Sequence, residues 1–467
     1  MTDTVTAGDG TAAPQRINLL KVLGPVHVWA LGVGIVLVGE YMGWNFSVAK
    51  GGAYGSLIAC WFIGLLYTCV AMIDSEVTST VAAAGGQYAQ AKHIVGPLMA
   101  FNVGLYLVMA YTMLEAADAL VVGDLLTIVA GQFGHEGLDP KPFVVLTILG
   151  LAWLNYRGVF MTLTANFVIT AIAFIAILVL FIGVEPWNPG KIVHHEDLLT
   201  DLPYGWIGVI AALQFGMWYY LGIEGTCQAA EEVRSPGRAI PLGTMSGMIT
   251  LLIAATLTWW IASGLMPWEY LGQAGVPLYD ASRLTGSVTL QVLLFVGTLF
   301  SAVASANGCI NDASRSWFSM GRDHYLPVWF AAVHPRYRTP YRSILFLIPV
   351  AVSFGFTGLL DQVITFSILS GLLGYTFMSL NVLKFRKQWP LDSINRGYVH
   401  PFHPMPAITL LILCGATYFA TFLGYGGSLL SIMAFYIVIS IWFHFHRYQY
   451  VRRGDQFTMP WPKPRGY

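Results

Sequence analysis

The chain has 467 residues, with 24 basic and 24 acidic side chains and no formal net charge. Apolar residues make up 56% of it and charged residues only 10%, against roughly 25% charged in a soluble domain. That balance excludes a soluble globular domain, and it excludes a nucleic-acid-binding protein with a basic surplus.

Repeated apolar stretches of about 18–25 residues are each long enough to cross about 30 Å of hydrocarbon. A backbone in lipid has no water to bond, so such segments are helices or strands of a closed barrel. They are too long and too continuously apolar for barrel strands of about 10 alternating residues. An all-α polytopic membrane protein is predicted.

In chain order, the first sixteen residues are polar and lack the apolar core and cleavage site of a signal peptide. They read as part of a disordered tail covering residues 1–20. About twelve crossings follow, at 24–48, 54–82, 97–130, 142–156, 159–184, 204–230, 240–267, 286–320, 342–360, 362–384, 405–425 and 428–446. The fourth is short, and the third and eighth are long enough to run past the membrane. The loop 186–203 carries His194-His195-Glu196-Asp197. Four adjacent side chains do not converge on one point, so a solvated loop is preferred to a metal site. The five cysteines (Cys60, Cys69, Cys227, Cys309, Cys414) all fall in apolar segments without metal or redox spacing and read as packing residues. No cofactor is expected. Residues 448–467 form a polar tail ending in WPKPRGY.

Lysine and arginine orient the chain. With the N-terminus inside, Lys50, Lys141, Lys191 and Arg283 fall outside, and the other 20 of the 24 basic residues fall inside or at inner helix ends. Both termini are therefore expected in the cytoplasm, with the chain in the inner (plasma) membrane.

Two spans are unusual. Span one reads GVGIVLVGEYMGWNF from Gly32 to Phe46, with four glycines and Glu40. Span six reads LQFGMWYYLGIEG from Leu213 to Gly225, with Gly216, Gly222, Gly225 and Glu224. Two glycine-interrupted spans in corresponding positions of two halves point to a transporter binding site. A helix broken at mid-membrane frees backbone groups, which are tolerable only where they line a cavity. The alternative is close helix packing through glycine, which leaves Glu40 unexplained.

Four stretches carry a family resemblance: GEYMGWN (39–45), AGGQYAQAKHIVGP (84–97), GIEGTCQAAEEVRSPGRAIP (222–241) and SRSWFSMGRDHYLPVWFAAVHPRYRTP (314–340). With them the chain resembles the amino acid–polyamine–organocation (APC) superfamily of transporters over nearly its whole length. Within it, GEYMGWN and the Glu115 region are most similar to the ethanolamine permease branch, whereas ASANGCIND (304–312) departs from that branch. The resemblance implies a five-plus-five inverted repeat of the leucine-transporter type. Residues 21–185 would hold helices 1–5 and 204–388 helices 6–10, with helices 1 and 6 broken at the midplane and two further helices in 389–447. It also implies alternating access around a site between helices 1, 3, 6, 8 and 10.

Intramembrane acids are functional candidates. Glu40 bears on substrate choice, because two like charges about 4 Å apart at an effective dielectric near 20 repel by about 4 kcal/mol. An ionised Glu40 would oppose a substrate carboxylate and favour a cation without one; a protonated Glu40 would not. Glu115 and Asp118 lie three apart on span three and share a face, either holding an ammonium or carrying a proton, or packing as a proton-shared pair. Carbonyls freed at Gly39 and Gly222 are expected to complete the ammonium site. Tyr41, Trp44, Phe215, Trp218, Tyr219 and Tyr220 surround the breaks, and a cation over such a ring gains about 0.5–2 kcal/mol. Asn307 on span eight is added as a substrate contact because the resemblance puts that helix at the site. Glu224, Asp312 and Arg315 are coupling or gating candidates, the last two as a pair three residues apart. Asp74, Glu76, Glu231 and Glu232 read as ion-paired, with Arg234, Arg238 or Lys92.

The expected function is import of a small primary-amine cation, ethanolamine first, alone or coupled to a proton or sodium ion. An amino acid or polyamine permease of the same fold is the alternative. Span five has no lysine or arginine between Phe160 and Val184, so proton coupling would need a carboxylate. A channel lacks support from any ring of charge. An enzyme is disfavoured: no HExxH occurs, and His27 has no serine–acid pair placed beside it.

Overall fold

The computed structural model describes residues 19–188 and 202–451. The N-terminal tail, the His194–Asp197 segment and the WPKPRGY end lie outside the described residues.

The helices in order are α1 (Pro25–Met42), α2 (Trp44–Thr80), α3 (Gln87–Ile94), α4 (Pro97–Gln132), α5 (Lys141–Arg157), α6 (Val159–Val184), α7 (Gly205–Gly216), α8 (Pro236–Leu265), α9 (Trp268–Leu271), α10 (Pro277–Arg283), α11 (Val288–Arg322), α12 (Tyr341–Gly355), α13 (Leu360–Gln388) and α14 (Met405–His446). Three short 3-10 turns, Met217–Tyr219, Ile223–Cys227 and Ala230–Glu232, link α7 to α8. Helices α1, α4, α5, α8 and α14 open with proline in the first turn, where the missing N–H costs nothing.

Among the described residues, eight segments are long and apolar enough to cross a membrane: α1, α2, α6, Gly205–Cys227, α8, α11, α13 and α14. Helix α2 bends at Gly52, and α14 bends at Tyr425, so α14 contains both of the last two predicted spans. Helix α4 is 36 residues long but carries Glu115, Asp118 and Asp124 along its second half.

The bundle is apolar on its outer face, and its mostly apolar interior encloses the ionisable groups. Phe160, Met161, Val168, Ile175, Val179 and Ile182 project outward from α6, and Leu430, Val438, Ile441 and Phe445 from α14. Glu40, Glu76, Glu115, Asp118, Glu224, Glu232, Asp312 and Arg315 are buried. Lipid as solvent explains that inversion, since ionisable groups in such a protein turn to the bundle interior. Helix α11 packs on α4, α6 and α1; α4 also packs on α13; and α2 packs on α7 and α8.

One end of the bundle is closed by backbone and ion pairs. The Val22 and Leu23 N–H groups donate to the Glu232 carbonyl (2.9 and 3.0 Å), and Arg234 N–H donates to the Leu23 carbonyl (3.0 Å). The chain entering α1 is thereby tied to the chain leaving the 3-10 turns. The acids here are held, though not by the bases expected from sequence proximity. Glu76 binds Arg386 (2.6 Å) and Arg396, Glu231 binds Arg322 (2.9 Å), Glu232 binds Arg315 (2.8 Å), and Lys92 binds Asp323 (3.0 Å). Asp74 accepts from Gln87, Gln90 and Thr78 instead of a base. The correction has one cause: partners come from helices that cross in space, and Arg234 or Arg238 lies on a segment already turning into α8. His400 N–H also donates to Glu76 (3.0 Å), and burial pushes the His400 imidazole below its usual range.

Candidate functional site

The two glycine-rich spans break to different degrees. Helix α1 stays coiled through Gly39 and Glu40 and yields only at Gly43 (φ −86°, ψ −12°), after which α2 begins. The Gly39 carbonyl accepts the Gly43 N–H at 2.7 Å, so the carbonyl expected to be free there is engaged. Gly39 is required for another reason. A Cβ at that position would stand 1.9 Å from the Trp218 carbonyl oxygen, so glycine lets α1 touch the second break.

The second break is extensive. Helix α7 stops at Gly216, a 3-10 turn carries Trp218 and Tyr219, and Gly222 adopts φ 115°, a region that side chains avoid. Gly222 N–H donates to Glu224 Oε2 (3.1 Å), and the Gly222 carbonyl accepts from Gly225 N–H (2.9 Å). That carbonyl, too, is used within the turn. Tyr375 on α13 donates to Glu224 Oε1 (2.7 Å) and receives the Tyr67 hydroxyl (3.2 Å). Glu224 therefore staples the broken segment to α13 and, through Tyr67, to α2.

Glu40 is 0% exposed, and neither carboxylate oxygen has a hydrogen-bond partner among the described residues. Its electrostatic neighbours are Tyr41, Cys60, Tyr219 and Tyr220. Tyr220 and Cys60 are joined at 3.2 Å. Tyr219 bonds the Ser47 hydroxyl and the Gly43 carbonyl, and it stacks on Trp44 at 4.2 Å. The Trp218 indole N–H, also buried, has no partner among the described residues. Phe215 stacks on Phe46 at 4.8 Å, and Phe46 lies 6.1 Å from Trp218. The Lys50 ammonium sits over Phe215 (5.7 Å) and Tyr425 (5.2 Å).

Glu115 and Asp118 form a second group. They face α11, where Ser305 stands beside Asp118 and Cys309 is an electrostatic neighbour of both acids. All four of their carboxylate oxygens lack a partner among the described residues.

Three further candidates are committed elsewhere. Tyr41 donates its hydroxyl to the Ala173 carbonyl on α6 (2.7 Å). Asn307 donates to Asn166 Oδ1 (3.1 Å) and accepts from Asn155 Nδ2 (2.8 Å), so its amide knits α11 to α5 and α6. Arg315 does not pair with Asp312. Its guanidinium grips Glu232 through Nε (2.8 Å) and Nη2 (3.2 Å), while Asp312 Oδ1 accepts from Asn311 (3.0 Å). A planar two-point match outcompetes a neighbour merely sharing the helix face. Cys60 was read from sequence as a packing residue, and Ser47, Phe46, Tyr67, Tyr111 and Tyr375 were not singled out; each is a polar or aromatic residue in an apolar helix, a weak signal in a chain that is 14% aromatic.

A bundle of lipid-facing helices enclosing unpartnered acids beside a broken helix is the architecture of a multi-pass membrane transporter. The amino acid permease family profile matches residues 26–453, and the chain belongs to that family. It is 70% identical to an uncharacterised transporter of Rhizobium meliloti (strain 1021) over the full length of both chains. It is 27% identical to the methylthioribose transporter of Bacillus subtilis, covering 86% of this chain and 89% of that one. A branched-chain amino acid permease of the same bacterium is 23% identical, with 81% of each covered. These are transporters, not enzymes.

Proposed function

We propose that this protein is a secondary transporter that imports a small primary-amine cation, ethanolamine first, by alternating access. In this reading the chain crosses the inner membrane twelve times as a five-plus-five inverted repeat with two added helices, both termini cytoplasmic. The observation that carries it is Glu40: a buried carboxylate with no hydrogen-bond partner among the described residues, with Tyr219, Tyr220 and Cys60 as its electrostatic neighbours. An ammonium would satisfy both Glu40 oxygens, the tyrosine rings would face its charge, and Phe46 and Phe215 would close over it. Inside-negative potential favours entry of a monovalent cation by about 2.3 kcal/mol per 100 mV.

A second reading is import of a zwitterionic amino acid with Glu40 protonated. Lys50 favours it: its ammonium makes ring contacts but no ion pair with a described residue, so a substrate carboxylate would find a base there.

Uptake into proteoliposomes with ethanolamine, choline, putrescine, alanine and glutamate separates the two. Ethanolamine is expected to be carried saturably, without competition from alanine or glutamate. Glu40→Gln is expected to lower that uptake ten- to a hundredfold, the worth of a hydrogen bond to a charge. Transport of alanine without ethanolamine, or near-normal ethanolamine uptake by Glu40→Gln, overturns the amine reading.

A further inference from the structure

The end of α5, the loop after α11 and the first turn of α12 carry positive charge without a counter-ion. Arg157 closes α5, Arg336 and Arg338 lie in the loop, and Arg342 is the second residue of α12. No acidic residue occurs from Lys141 to Val184 or from His324 to Leu360. None of the four arginines forms an ion pair with a described residue, whereas Arg315, Arg322, Arg386 and Arg396 each grip a glutamate.

Three of the four guanidinium groups rest on aromatic rings instead. Arg157 stands over Trp153 (4.8 Å) and Tyr337 (5.6 Å), Arg336 over Tyr337 (5.5 Å), and Arg342 over Trp329 (5.7 Å) and Tyr341 (5.6 Å). Arg157 Nη1 donates to the Tyr337 hydroxyl (3.2 Å), and Arg342 Nε donates to the Tyr341 hydroxyl (3.0 Å). A guanidinium has five N–H donors, so most of them are left for an acceptor from outside the protein. The loop that spaces these groups is held in place. His334 Nδ1 accepts the N–H groups of Arg336 (3.2 Å) and Tyr337 (3.1 Å), and the Thr339 hydroxyl donates to the Tyr156 carbonyl on α5 (3.0 Å).

The rim of this basic surface is apolar. Trp153 and Trp329 are 58% and 46% exposed, and Phe160 and Met161 on α6 and Leu345 on α12 also project outward. Tryptophan is favoured at the boundary between headgroups and hydrocarbon.

We propose that this surface docks the headgroup of an anionic phospholipid, with the phosphate on the arginines and the acyl chains against the apolar rim. Arginine offers paired N–H groups that match phosphate oxygens. A free anion would leave the exposed tryptophans and the rim unused. A choline lipid brings its own cation to a surface that has no acid for it. In the orientation proposed above, the lipid belongs to the inner leaflet, where basic pockets between helices take such headgroups.

Binding is read without transport, so the outcome does not depend on which substrate is carried. The full chain, purified in detergent, is titrated with dioleoyl phosphatidylglycerol or dioleoyl phosphatidylcholine, and bound lipid is counted by native mass spectrometry. Phosphatidylglycerol is expected to bind tighter by about tenfold or more. Arg157→Gln, Arg336→Gln and Arg342→Gln are each expected to weaken it about fivefold, and Arg342→Lys, which keeps the charge, to weaken it less than Arg342→Gln. Lys387→Gln removes a charge at the end of α13, outside the surface, and is expected to leave the affinity unchanged. Lipid-free unfolding temperatures check that each variant is folded; Arg336 is exposed, so its variant keeps the test decisive should another fail to fold. Equal affinity for the two lipids, wild-type affinity in all three glutamine variants, or an equal loss in Lys387→Gln overturns the proposal. Displacement of phosphatidylglycerol by an equal concentration of glycerol 3-phosphate overturns it too, because the surface would then be a site for a free phosphate.

Discussion

Gly39 and Gly222 show how one residue type serves two purposes at facing positions. Gly39 is helical, and its lack of a side chain admits the Trp218 carbonyl. Gly222 needs freedom of backbone, at φ 115°, and space as well, since a Cβ there would stand 2.2 Å from Ile35 Cγ2. Gly222→Ala combines a backbone conformation costing about 1–3 kcal/mol with overpacking of about 1–3 kcal/mol. A clear drop in the unfolding temperature of the detergent-purified protein is expected, with transport lowered at least tenfold. Gly150→Ala is the control. It lies inside α5 with nothing within 4 Å of the added Cβ, and alanine favours a helix by about 0.5–1 kcal/mol. Its unfolding temperature is expected to be unchanged or higher. Equal effects of the two substitutions would refute the special role of Gly222.

At the level of elements, the broken link between α7 and α8 is held by side chains from elsewhere. Tyr375 holds its middle through Glu224, and Arg315 on α11 holds its end through Glu232. The Arg315–Glu232 pair is almost fully enclosed, at 1% and 0% side-chain exposure. Removing one member of such a pair strands a buried charge and costs about 3–5 kcal/mol, whereas replacing both with apolar groups is far less costly. Arg315→Met alone and Glu232→Met alone are therefore expected to lower the unfolding temperature strongly, and the double variant to recover most of the loss. Additive losses in the double variant would mean that the two side chains are not a coupled pair.

Across the whole molecule, the ion pairs gather where α2, α11 and α13 end, and the N-terminal segment joins them there. In the proposed orientation this end, rich in basic residues, lies in the cytoplasm. A green fluorescent protein fused after Tyr467 is expected to fluoresce, and alkaline phosphatase fused there to be inactive. Active phosphatase would invert the assignment. Several helices were legible almost to the residue: the span predicted at 159–184 is α6, and that at 142–156 is α5 less one residue at each end. Long apolar runs bounded by glycine and proline suffice for that. The site was legible only in part. Gly39 and Trp218 do meet, but the unwinding expected at Gly39 falls at Gly43, and Asn307, Tyr41 and Arg315 find protein partners. Nothing within span one or span eight announces those partners, because they belong to α5, α6 and the segment before α8.

Composition and run length by themselves determined that this chain lives in lipid as a bundle of helices, since the bilayer dictates both the length and the internal hydrogen bonding of anything that crosses it. The same reading located its acids. Which acids are quenched by a base, which staple a turn and which stand without a partner was decided only by how the helices cross. A side chain in a dry interior takes its chemistry from the two or three groups it touches, and in this protein those groups come from segments up to several hundred residues apart.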